Sequence, residues 1–185
     1  WGFKTAWSKL NEALGCGIPY DATVTIGART GVGKSAFVNI MILDIFRLNP
    51  DDNIIGLYWN WEMPAYQQGT RIISNKINKS VQELLSSKVP IDNFTLSQSK
   101  EIKQMFMNYN IYFVDNAVNI ADIESIIREI HAENKDFRIV NVFDHTRLIL
   151  GSGEKTEEDK IHKFYSMCTR MVKQCNCTNI VISQL

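Results

Sequence analysis

Charge of one sign is the first thing missing from this 185-residue chain: twenty basic and twenty acidic side chains cancel to a formal net charge of zero. Nothing global therefore marks it as a polyanion binder, and any nucleic-acid contact has to come from a local patch or from repetition in an oligomer. Cysteine is sparse as well, with four residues, Cys16, Cys168, Cys175 and Cys177. They form no C-x-x-C pair and have no histidine pair nearby at zinc spacing, so free thiols are the expectation, with zinc or disulfide pairing as the alternatives. A long apolar run is absent too: the stretch from Ala36 to Leu48 is interrupted by Asn39, Asp44 and Arg47, which suits a buried helix rather than a membrane span. Trp1 to Leu14 lacks a basic start, an apolar run and a small-residue cleavage site, so the chain reads as cytoplasmic. Internal repeats and low-complexity tracts are missing.

What is present is enough apolar material, 45% of residues, for one well-buried core. Short β-rich runs alternate with segments of helical period, which is the pattern of an α/β domain whose largely parallel sheet is covered by helices on both faces. Strands are expected at Ala22–Ile26, Ile54–Trp59, Ile111–Val114, Arg138–Phe143 and Thr178–Ile182. Ser80 and Glu83 have capping-box spacing. Asn119 is placed to cap a helix whose apolar face is Ile120, Ile123, Ile127 and Ile130. Ile161, Phe164, Cys168, Met171 and Cys175 trace a second core-facing stripe. Between these helices, Leu150–Asp159 is rich in glycine and charge, and reads either as a solvated connection or as a segment that contacts DNA or a neighbouring subunit.

The most informative segment follows the first strand: Gly27-Ala-Arg-Thr-Gly31-Val-Gly33-Lys34-Ser35, leading into the apolar helix. Strand, glycine-bearing turn and helix start are the context in which a Walker A motif has meaning. Glycines let backbone amides converge on phosphate oxygens, and the helix N-terminus adds its partial positive charge. Arg29, Thr30, Gly31, Val32, Gly33, Lys34 and Ser35 are thus the candidate nucleotide-binding residues, with Lys34 reaching the β- and γ-phosphates and Ser35 on Mg²⁺. One departure is that Ala28 stands where the first glycine of the motif belongs, with Gly27 one place earlier.

Three strand ends supply further candidates. Leu57-Tyr-Trp-Asn-Trp-Glu62 puts a carboxylate just past the C-terminal end of a strand, where open α/β sheets bind their ligands and where Glu62 could take a proton from an attacking water. Pro64 then opens the next helix at its first position. Asp144 ends the apolar strand Arg138–Phe143 in the manner of a Walker B aspartate holding Mg²⁺, although a lone strand-end Asp can also be a turn former or helix cap. Gln184 ends the last strand and could sense the γ-phosphate.

Taken in order, these pieces resemble the RecA-like ATPase domain of DnaB-type replicative hexameric DNA helicases. The resemblance runs from Trp1-Gly-Phe3 through Gly27-Ala-Arg29, Lys34-Ser35, Trp61-Glu-Met-Pro64 with Arg71-Ile-Ile-Ser74, Asp144 and Ser183-Gln-Leu185. It implies a RecA-like P-loop fold, with residues 1–185 as one ATPase domain belonging to a longer helicase chain. It also implies ATP and Mg²⁺ as ligands, Glu62 as catalytic base, Asp144 as Walker B acid and Gln184 as coupling sensor. The implied partners are single-stranded DNA, further copies in a hexameric ring, and a primase or loader. His145-Thr-Arg147 departs from the family pattern of an aromatic, an aliphatic and a glutamine. In the family, an arginine finger and DNA-binding loop follow Ser-Gln-Leu, so this stretch on its own is expected to be weakly active. The competing expectations are a recombinase-like or regulatory DNA-binding ATPase without unwinding activity, and a binding module whose hydrolysis is vestigial; Glu62 argues against the last.

Overall fold

The computed structural model describes residues 1–29, 31–61, 63–86, 90–116, 118–144, 149, 153–154 and 156–184, with the side chains of 106 and 184 excepted. A small antiparallel pair, β1 (Gly2–Phe3) and β2 (Ile18–Pro19), flanks α1 (Ser8–Ala13). The rest alternates: β3 (Thr23–Ala28), α2 (Lys34–Leu48), β4 (Ile54–Asn60), α3 (Ala65–Ile77), α4 (Val81–Leu85), α5 (Asn93–Asn108), β5 (Ile111–Val114), α6 (Ile120–Glu133), β6 (Arg138–Asp144), α7 (Glu157–Gln174) and β7 (Cys177–Gln184).

Strands β3 to β7 form one sheet in the order β3-β7-β6-β4-β5, and every pair in it is parallel. All five expected strands are present, each within two residues of its expected bounds. The central ones are apolar on both faces, as burial between two helical layers requires: all seven residues of β4 are buried. On one side α2 contributes Val38, Met41, Ile42 and Ile45 to a core with Tyr58, Val140, Val142, Ile180 and Ile182. On the other, α6 and α7 pack Ile120, Ile123, Ile127, Phe164, Met167, Cys168 and Met171 against Leu57, Trp59, Phe143 and Val181. The chain is thus a three-layer α/β domain with helices on both faces of a parallel sheet.

Local chemistry sets the helix starts. Ser80 and Glu83 form the expected capping box, Asn119 forms another with Asp122, and Thr156 caps α7 by accepting from the Asp159 amide. Of the second apolar stripe, Phe164, Cys168 and Met171 on α7 and Cys175 at its C-cap are buried, but Ile161 is 38% exposed and lies outside the core. Pro64 is the N-cap of α3 rather than its first residue, and the amide of Ala65 donates instead to Asp115 Oδ2, just past β5, at 2.9 Å. The four thiols are free, three of them buried. Among the described residues no helix is long and apolar enough to cross a membrane.

Candidate active site

Because the sheet is parallel, the C-terminal ends of its strands share one edge, and the connections that leave them are the natural place for a ligand. Register fixes who meets whom there. Ala28 pairs with Gln184, and Ile182, Asp144 and Asn60 lie side by side across β7, β6 and β4. With strands about 4.8 Å apart, the tips from β3 to β4 span roughly 14 Å, the scale of a nucleoside triphosphate held across an edge.

At one end of this row the loop after β3 has two glycines with left-handed backbone, Gly31 at φ 80° and Gly33 at φ 92°. A Cβ at either would meet no atom within 4 Å, so conformation and not space demands glycine there. Ala28 needs no such freedom, because it is the last residue of β3 with ordinary extended backbone. That explains how alanine is accommodated at the first glycine position. Gly33 is the N-cap of α2, and among the described residues no side chain caps that helix, which leaves its leading amides available to an anion. Lys34 folds back across the loop, its Nζ donating to the carbonyls of Ala28 at 2.6 Å and Arg29 at 2.9 Å. Arg29, Gly31, Val32 and Gly33 are exposed, while Lys34 and Ser35 are half-buried at the start of α2. Thr30 and Glu62 lie outside the described residues, as does the side chain of Gln184. So do His145, Thr146 and Arg147 and most of the loop beyond them.

Asp144 is buried at 2% exposure on the face of the sheet that carries α2. Behind it stands a polar cluster that sequence reasoning missed. Tyr58 Oη donates to Asn39 Oδ1 at 2.9 Å and lies 3.4 Å from Asp144 Oδ2, a long separation for a hydroxyl bond. Gln68 Nε2 donates both to Asn39 Oδ1 at 2.6 Å and to Tyr58 Oη at 2.8 Å. This ties α2, β4 and α3 together just behind the strand tips. Burial, then the nearby Asp144 charge, pushes the Tyr58 phenol well above its ordinary value, so it remains a neutral hydroxyl. No sequence motif marks it, because Asn39 is only one of three residues, with Asp44 and Arg47, that interrupt the apolar run of α2.

A divalent cation is the group this arrangement implies. Magnesium takes hard oxygen donors and, in phosphate sites, one or two carboxylates with the phosphates supplying others. The Asp144 carboxylate and the Ser35 hydroxyl are donors of that kind. Beside Asp144 the fully buried Asn60 keeps both Oδ1 and Nδ2 without a partner, orphaned polar atoms of the sort that a hydrated ion satisfies. The residues fit the ion.

A parallel α/β sheet, a glycine-bearing turn leading into an uncapped helix, and an acidic strand tip in the same edge row define a RecA-like P-loop domain. Over residues 2–185 the chain matches the DnaB-like helicase C-terminal domain, and it belongs to that family. In fold it is similar to "The Structure Of A DnaB-Like Replicative Helicase And Its Interactions With Primase", with TM-score 0.85 and 20% identity, covering all of this chain and 44% of that one. It is equally similar to a second solved structure, described as an ATPase domain, with TM-score 0.85 and 18% identity, covering all of this chain and 64% of that one. The chain therefore spans less than two thirds of the length of either structure. No curated protein matches it.

Proposed function

We propose that this domain is the motor of a replicative DNA helicase, hydrolysing ATP so that a hexameric ring of such chains moves along single-stranded DNA and separates the duplex. Residues 1–185 form its RecA-like ATPase domain within a longer, cytoplasmic chain, with a primase or a loader protein as further partners. The observation that carries the reading is the pairing of an uncapped α2 N-terminus, entered through left-handed Gly31 and Gly33, with the Asp144 carboxylate on the same strand edge.

In this reading the amides of Gly31 to Ser35, with Arg29 and Thr30 flanking them, cradle the phosphates. The Lys34 ammonium exchanges its two backbone carbonyls for phosphate oxygens. Ser35 and Asp144 would hold Mg²⁺, which supplies charge neutralisation at the phosphates when bound. Glu62, two residues past the end of β4, accepts a proton from the attacking water. Gln184, beside Ala28 in the ladder, reports whether the terminal phosphate is present.

Two measurements on the full-length protein test this. Glu62→Gln should abolish turnover while leaving ATP binding largely intact, and near-normal hydrolysis would remove Glu62 from its role. On a forked duplex, ATP-dependent strand separation is expected. Hydrolysis without separation would favour a recombinase-like or regulatory DNA-binding ATPase instead.

A further inference from the structure

Among the described residues four asparagines are buried: Asn39, Asn60, Asn141 and Asn179. Three are tied into hydrogen bonds. Asn39 accepts from Tyr58 and Gln68, Asn141 accepts from Trp59 Nε1 and donates to Asn179, and Asn179 also donates to Thr23 and to the Cys168 carbonyl. Asn60 is the exception. It is 0% exposed, and among the described residues neither its Oδ1 nor its Nδ2 has a partner. A buried amide left unbonded is strongly unfavourable, and an apolar side chain of the same size would serve a purely structural position better.

Its location is specific. Asn60 is the last residue of β4 and stands directly across the ladder from Asp144. Alternation along the strand puts it on the same face as Tyr58, which belongs to the α2-side core, and the neighbouring strand presents Asp144 on that face with Val142. The chain then runs two residues on to Glu62. A third unfilled atom is close by: Gln68, whose Nε2 bonds Tyr58 Oη, keeps its buried Oε1 without a partner. Among the described residues, three of the five buried side-chain atoms without a partner thus lie near one carboxylate at the ligand-binding edge, the other two being Trp61 Nε1 and His131 Nδ1, whereas Asn39, Asn141 and Asn179 are hydrogen-bonded.

We propose that Asn60 is a positioning residue for the hydrated divalent cation at Asp144, its amide accepting from and donating to the ion's water shell. The chemistry matches. Magnesium releases its waters reluctantly and keeps several of them when bound, and a neutral amide carbonyl can accept from these polarised waters without adding a charge while its N–H groups serve outer waters. Partners of this outer kind fix an ion's orientation without touching it. The inference rests on the nucleotide-binding reading given above and extends it to a residue outside the motifs.

The test uses the full-length protein and a fluorescent, non-hydrolysable ATP analogue, with binding measured in EDTA and across a magnesium titration. Asn60→Leu is expected to be at least as stable to urea as wild type and to bind the analogue equally well in EDTA. The magnesium concentration that gives half-maximal tightening should rise roughly tenfold. A purely structural role would leave that midpoint where it is in wild type, and that result would overturn the inference. Should Asn60→Leu fail to fold, Asn60→Ala carries the same measurement, since truncation removes the amide without adding bulk. Wild-type protein that fails to bind the analogue would sink the nucleotide reading together with this inference, and binding without any response to magnesium would sink this inference by removing its cation. A magnesium-responsive wild type with an unchanged variant would sink the inference alone.

Discussion

Replacing Tyr58 by Phe removes one hydroxyl from a site that is 0% exposed and disturbs two short hydrogen bonds, 2.9 Å to Asn39 and 2.8 Å from Gln68. The loss does not fall evenly. Asn39 Oδ1 keeps its bond from Gln68, but the second Gln68 N–H is left buried with no acceptor, so Tyr58→Phe is expected to cost about 1–3 kcal/mol. Gln68→Leu acts differently, because it removes the donors together with an Oε1 that already lacks a partner, and Tyr58 can still donate to Asn39. That single change should lie within about 1 kcal/mol of neutral. On a Gln68→Leu background the phenylalanine instead strips the buried Asn39 Oδ1 of its remaining donor, so its cost of about 1–3 kcal/mol comes from a stranded acceptor rather than a stranded donor. Urea denaturation of the four proteins measures the coupling directly, and a non-zero interaction energy is expected for residues in one network. Heating gives the same order, since 1 kcal/mol moves the midpoint by roughly 2–4 °C in a domain of this size. A Tyr58→Phe protein as stable as wild type would refute the network.

Gly33→Ala places a Cβ on backbone at φ 92°, where it meets nothing within 4 Å, so it should cost about 1–2 kcal/mol by conformation alone and weaken binding of an ATP analogue. Gly69→Ala, inside α3 with equally open space and no left-handed φ, should instead stabilise by about 0.5–1 kcal/mol in the same denaturation assay. Glu124 is bonded by Arg170 and Arg128, and these guanidiniums hold its carboxyl below the ordinary value of 4.5. A lowered pKa contributes stability above the ordinary value that is lost as pH falls through the folded one. The midpoint of urea unfolding should therefore fall on acidification below 4.5, and less steeply in Glu124→Gln. Thiol titration should find Cys16 alone reactive in the native protein, because Cys168, pushed up to about 12 by burial, and the equally buried Cys175 and Cys177 are closed off until denaturant exposes all four.

Much of the fold was legible because its signals are local. Strands such as Ile111–Val114 were bounded correctly by β-branched and aromatic runs, and the Ser80 and Asn119 caps are set by residues three apart. The two-residue strands β1 and β2 are too short for alternation to register. Helix α5 went unremarked although Asp92 caps it, accepting from the Thr95 amide at 2.7 Å, because that aspartate is also paired with Lys79 and sits in no apolar pattern of its own. In the site, the glycine turn and the acidic strand ends could be read as motifs, and the alanine at the first glycine position looked like a defect until its extended backbone showed that no glycine was needed. Asn60 and the Tyr58–Gln68–Asn39 cluster could not be read, since what singles them out is sheet register: Asn60 gains its meaning only from facing Asp144 across two strands 84 positions apart in numbering.

In the proposed function a nucleoside triphosphate sits on the turn from Gly31 to Ser35 and reaches across the strand edge to Asp144. Amide hydrogen exchange of the full-length protein, compared with and without a magnesium-bound ATP analogue, tests it most directly. Slowed exchange is expected at the amides of residues 31–37 and around the ends of β4 and β6, with the effect at the turn abolished in Lys34→Ala. Unchanged exchange at that turn under saturating analogue, or protection confined to another part of the domain, would contradict it.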